Sequence, residues 1–117
     1  MRKSNVIVIG LALAISCSLA LGQNKKGGKK GGDGDAAKGQ EVFQQCSLCH
    51  NADSTEKKMG PGLKGLFKLE KLSTNGKPAT EANIRAKIDE GGNGMPSYKD
   101  MLSDAEKNDL IAYLKTL

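Results

Sequence analysis

Cys46-Ser47-Leu48-Cys49-His50 is the stretch on which the reading of this chain turns. Two thiols separated by three positions, with a histidine directly after the second, have the C-x-x-C-H spacing used for covalent attachment of c-type haem. Near a helix end, that separation lets both sulfurs reach the two vinyl groups along one haem edge. The adjoining His50 is then placed to ligate iron. Two other chemistries use similar residues and fit poorly. A closed structural zinc site needs four ligands, whereas beyond residue 22 the chain offers two Cys and one His. A thiol-disulfide centre would place Cys-x-x-Cys in a βαβ pattern, and no run here alternates with the period of a strand.

His50 is the only histidine, so a bis-histidine iron from this chain is excluded. In electron-transfer proteins the second axial position is commonly taken by methionine. Met59, Met95 and Met101 are available beyond the N-terminal segment. Met95 sits between Gly91-Gly92-Asn93-Gly94 and Pro96, on a constrained loop able to reach over a haem, and is the expected ligand. Met59, just before Gly60-Pro61-Gly62, is expected to cover the haem edge. Met101, or a vacant position, is the alternative to Met95.

The chain has 117 residues, enough for one compact domain. Residues 1–22 combine a basic start (Arg2, Lys3), an apolar run and small residues up to Gly22, the anatomy of a secretory signal. The apolar run is short for a spanning helix and is interrupted by Gly10, Ser16, Cys17 and Ser18. Ala14-Ile15-Ser16-Cys17 is a weak lipobox. Acylation of Cys17 would make the following segment a tether, and membrane contact is expected only in that case. Residues 23–35, rich in Gly and Lys, carry nothing that could offset the entropy of ordering, so they are expected to be a disordered linker. The net charge of +5 is mostly contributed by these segments. From Ala36 to Leu117 there are twelve Lys/Arg against eleven Asp/Glu, or +1, which argues against a nucleic-acid partner.

The remaining domain, 36–117, has two Phe, two Tyr and no Trp. Domains this small commonly need a staple, and Cys46 and Cys49 are too close in sequence to close a useful disulfide loop. A large bound cofactor would serve. Three or four short helices are expected, with no strands. Asp35 caps the first, Ala36 to about Gln45. Leu63, Leu66 and Phe67 share a helical face, so a short helix through about Leu72 is expected before Asn75-Gly76-Lys77-Pro78 turns the chain. Another runs from Thr80 to the Gly91-Gly92 stop. The last starts at Ser103, paired with Glu106 in a capping box, and continues through Leu110, Ile111, Tyr113 and Leu114 to Leu117.

Taken together, Gly39 and Phe43 before the Cys46 to His50 motif, Gly60-Pro61-Gly62-Leu63, Gly94-Met95-Pro96, Leu102-Ser103-Asp104 and Leu110-Ile111-Ala112-Tyr113-Leu114 resemble the class I c-type cytochromes, particularly the short bacterial and photosynthetic monohaem carriers. The resemblance covers Ala36 to Leu117. It implies an all-α cytochrome c fold wrapped around one haem c bound through Cys46 and Cys49. It further implies that the first and last helices cross at Gly39 beside Phe43 and Tyr113, and that the Pro61 carbonyl accepts a hydrogen bond from His50. Iron would then be held by His50 and Met95. Many relatives use a Trp toward a haem propionate, and none exists here; Tyr98, Lys99 or backbone amides are the replacements on offer.

The implied function is one-electron transfer without catalysis of a bond change. Its partners would be redox proteins such as a membrane oxidase, a reductase complex or a dehydrogenase, met by a monomer in the periplasm or another extracytoplasmic compartment. The competing class, an enzyme or gas sensor, needs a vacant sixth position and distal acid–base groups, and the chain has no second histidine to provide one. A haem subunit tethered to a larger oxidase or dehydrogenase is a further alternative.

Overall fold

The computed structural model describes residues 34–117. The expected export signal, the Cys17 anchor and most of the expected linker lie outside the described residues. Within them the chain forms three α-helices and one 3-10 turn, and no β-strand. The nearest approach to a sheet is an isolated bridge between Gly92 and Met95.

Helix α1 is Ala36–Phe43. Asp35 caps it, its Oδ1 accepting the N–H groups of Ala37 (2.9 Å) and Lys38 (3.4 Å). The Asp35 N–H in turn donates to Asp109 Oδ1 at 2.7 Å, tying the start of the domain to its last helix. The expected extension to Gln45 is not regular helix. Cys46 and Ser47 both donate to the Phe43 carbonyl, and Cys49 and His50 both donate to the Cys46 carbonyl. Consecutive tight turns therefore carry the chain through the motif.

The segment from Leu63 to Leu72, expected as a helix, gives only the 3-10 turn Leu66–Lys68. Gly65 explains the difference: its φ of 72° is left-handed, so no right-handed helix can pass from Leu63 into Leu66. Leu69 then leaves in extended conformation. The apolar spacing is still used, because Leu66 and Leu72 are buried and Leu63 and Phe67 pack against the core. A turn satisfies the same i, i+3, i+4 pattern that a helix would.

Helix α2 is Glu81–Glu90. Thr80 caps it through Asn83 N–H, Glu81 and Lys87 complement the two ends of its dipole, and Gly91 ends it with φ 66°. Helix α3 is Asp104–Leu114, with the Ser103–Glu106 capping box complete: Ser103 Oγ accepts Glu106 N–H, and Glu106 Oε2 accepts Ser103 N–H at 2.8 Å. Leu117 lies just past the helix and still packs on the core.

The main helix contact is α1 on α3, while α2 meets α3 lightly. It closes at Gly39, where a Cβ would collide with the Asp109 carbonyl and come within 2.8 Å of Tyr113 Cβ. Phe43 and Tyr113 fill the crossing with rings 5.3 Å apart and tilted by 54°. The core is completed by Ile84 and Ile88 from α2, Leu110, Ile111 and Leu114 from α3, and Tyr98 and Leu102 from the intervening loop. Ten buried apolar side chains hold together the 84 described residues, 34–117. That is a small core for a domain of this size.

Candidate functional site

The turns after α1 deliver three functional side chains. Cys46 and Cys49 are free thiols, both half-buried. Cys46 belongs to the rim of the core, and burial, followed by the charge of Cys49, pushes its thiol up to about 11. The neutral thiol is accordingly its resting form at physiological pH.

His50 is half-buried, and its Nδ1 lies 2.7 Å from the Pro61 carbonyl oxygen. A carbonyl can only accept, so Nδ1 carries the proton and donates it. The neutral ring then has its lone pair on Nε2, the tautomer a metal requires. Two glycines bring Pro61 to this position. A Cβ on Gly60 would fall on the His50 ring, 2.8 Å from Nδ1 and 3.0 Å from Nε2. A Cβ on Gly62 would meet the backbone of Ser54 and Thr55. The loop is secured as well by Gly60 N–H to the Cys49 carbonyl (2.8 Å) and Leu63 N–H to the Asn51 carbonyl (2.8 Å).

The three methionines occupy different environments. Met95 is half-buried and packs against the core. Met59 is 80% exposed, its Sδ 3.8 Å from Cys49 Sγ, and Met101 is 63% exposed. Met95 is presented by a tight turn in which Gly92 N–H donates to the Met95 carbonyl (2.8 Å) and Met95 N–H to the Gly92 carbonyl (3.2 Å). The corner residues Asn93 and Gly94 have φ of 55° and 88°. Positive φ at both is the mark of a type I′ turn, and Asn-Gly is its favoured sequence.

Tyr98 is buried in the core, its N–H donating to the Ile88 carbonyl at 3.0 Å. Burial pushes its phenol up, and the charges of Cys46 and then Cys49 add to the shift. Lys99 is exposed, and its carbonyl accepts from Lys107 Nζ.

The donor set fits a covalent haem. Two free thiols stand three positions apart in sequence, an imidazole has Nδ1 committed to Pro61 and Nε2 open, and a thioether rests against an apolar wall. No cluster of three or more His, Cys, Asp or Glu side chains suited to a bare metal ion occurs among the described residues.

Sequence reasoning missed the seat that Gly60 provides for the imidazole. In the sequence Gly60 figures only as part of the Gly60-Pro61-Gly62-Leu63 motif, although a glycine beside a proline that meets a ligand histidine is the available signal. It also missed the buried ion pair of Lys107 with Asp89 (2.7 Å), because a lysine within a helix ordinarily reads as surface.

Comparison with known proteins agrees with this geometry. Residues 36–117 match the family model described as Cytochrome c. The chain is 31% identical to cytochrome c6 of Synechocystis sp., over 91% of its own length and 85% of the relative's. It is 31% identical to cytochrome c2 of Rhodospirillum rubrum, over 73% and 82% of the two chains. Cytochrome cH from Methylobacterium extorquens superimposes with a TM-score of 0.54 at 29% identity, covering 72% of this chain and 100% of the other. With the paired thiols, the helical frame and the family match all in one segment, the chain is a member of the cytochrome c family: a monohaem electron carrier, not an enzyme, that binds haem c through Cys46 and Cys49.

Proposed function

We propose that the iron of this cytochrome is held between His50 Nε2 and Met95 Sδ, and that the protein carries single electrons between redox protein partners outside the cytoplasm. When bound, the haem supplies a one-electron iron couple. The chain's own residues set the terms of that couple. Pro61 holds the Nδ1 proton of His50, which orients the ring and makes Nε2 a stronger donor. Met95 would supply the thioether that favours the ferrous state and raises the potential. Leu66, Ile84, Ile88 and Tyr98 belong to the core against which Cys46 and Met95 pack, and would keep the local dielectric low around the iron.

The observation that carries the axial assignment is the contrast among the methionines: Met95 packs on the core, whereas Met59 and Met101 are exposed. The deciding experiment compares ferric wild type with Met95→Ala. The far-red band of iron bonded to thioether sulfur is expected to vanish in the variant, and the potential to fall. An unchanged band would move the sixth ligand elsewhere.

Extracytoplasmic residence rests on the signal-like residues 1–22 and on the need for thioether formation outside the cytoplasm. No helix among the described residues is long and apolar enough to cross a membrane. A soluble monomer meeting a membrane oxidase, a reductase complex or a dehydrogenase is the arrangement this favours. Mass analysis of the exported N-terminus separates cleavage near Gly22 from acylation at Cys17.

A further inference from the structure

The chain that follows Met95 is pinned at three consecutive residues. Ser97 Oγ donates to the Asp89 carbonyl at 2.5 Å, Tyr98 N–H donates to the Ile88 carbonyl at 3.0 Å, and the Lys99 carbonyl accepts from Lys107 Nζ at 2.8 Å. The last of these comes from an unusual lysine. The Lys107 side chain is 5% exposed and projects from α3, and its ammonium also pairs with Asp89 Oδ1 at 2.7 Å. That oxygen is itself enclosed and, apart from this ion pair, has no hydrogen-bond partner among the described residues. One ammonium thus joins the end of α2, the first turn of α3 and the backbone just beyond Met95.

Packing alone does not account for a charge in this position. An apolar side chain of similar volume commonly replaces a buried ion pair at no loss of stability. Such a side chain could not hold the Lys99 carbonyl. Upstream of Met95 the tether is local: Lys87 Nζ reaches the Gly91 carbonyl (2.7 Å) from the same helix. The downstream tether alone brings α3 to the loop.

We infer that Lys107, paired with Asp89, is a positioning residue for Met95: it latches the loop behind the methionine and thereby governs how readily the thioether leaves iron. The inference rests on the assignment of Met95 as the sixth ligand. It differs from that assignment in making a side chain on α3, remote in sequence, the control over ligand exchange.

The test measures the rate at which cyanide displaces the sulfur in ferric holoprotein, for wild type, Lys107→Met and Ser97→Ala. Ile111→Val serves as a control that weakens the core one turn further along α3 while leaving every hydrogen bond of the latch in place. Lys107→Met is expected to speed displacement about tenfold, equivalent to about 1.4 kcal/mol of loop closure. Ser97→Ala should shift the rate in the same direction by less, and it keeps the inference open to refutation should Lys107→Met not yield holoprotein. Ile111→Val should lower the melting temperature while leaving the rate near wild type. Unmoved cyanide kinetics in the latch variants, or acceleration that merely tracks melting temperature across all three, would overturn the latch. A far-red band that survives Met95→Ala would overturn the ligand assignment with it, so the two failures are distinguishable.

Discussion

Gly39 lies directly against the main-chain carbonyl of Asp109, leaving no room for a methyl group between α1 and α3. Helices cross this closely only where one of them lacks a side chain. Gly39→Ala must therefore separate the helices or bend them, and it is expected to cost about 3 kcal/mol, the upper end for overpacking of a well-filled contact. Denaturant unfolding of the holoprotein measures it. A loss no larger than that at an exposed helical site would show that the crossing can relax.

The seat of His50 yields a second expectation. Gly60→Ala places a methyl on the imidazole, so the ring must rotate away from the Pro61 carbonyl. Losing such an outer hydrogen bond commonly weakens a metal ligand by about tenfold or more. A weaker nitrogen donor stabilises ferric iron less, and the potential should rise in a redox titration. Substitution with an unaltered potential would mean that the loop moves and the ring does not.

The start of α3 gives a pH dependence. The Ser103 backbone N–H, then its hydroxyl, hold the Glu106 carboxyl below its ordinary value of 4.5. A carboxyl whose pKa is lower folded than unfolded stabilises the fold above the unfolded value, and that contribution disappears as pH falls through the folded one. Glu106→Gln should flatten the acid limb of the stability curve below the ordinary carboxylate range, followed by circular dichroism. Ser103→Ala, which removes the cap at neutral pH as well, should cost about 1 kcal/mol.

A fourth expectation concerns the cofactor. Cys46→Ser with Cys49→Ser removes both thioethers, so acid–acetone should extract haem from the variant and leave it in wild type. Because ten side chains make up the buried apolar core, the extracted chain is expected to lose most of its helical signal. Retention of native helicity without haem would show that the protein core suffices alone.

Much of the frame was legible because the residues that start and stop the helices announce themselves locally. Asp35, Thr80 and Ser103 are caps whose side chains can be placed from sequence, and Gly91 is a stop of the same kind. The segment after Leu63 was misread as helix because apolar spacing is blind to the sign of φ, which at Gly65 only the folded chain reveals. At the site, the thiols, His50, Pro61 and Met95 all stood in sequence motifs, and the structure seats His50 on Pro61 and Met95 on the core. The role of Gly60 and the burial of Lys107 were hidden for a different reason. Each depends on what a distant part of the chain brings alongside, and no local pattern records that.

The turn that presents Met95 places a restriction on how this protein can diverge. Its two corner positions adopt a handedness that suits mirror-image amino acids better than natural ones. Asn93 and Gly94 are thus closed to most of the side chains that mutation could install, while Lys99 and Asp100 further along, exposed and held through backbone alone, are open. Variation in the sulfur-bearing segment will accumulate downstream of its corner and spare the corner itself, so the reach of the thioether is inherited as backbone chirality rather than as side-chain chemistry.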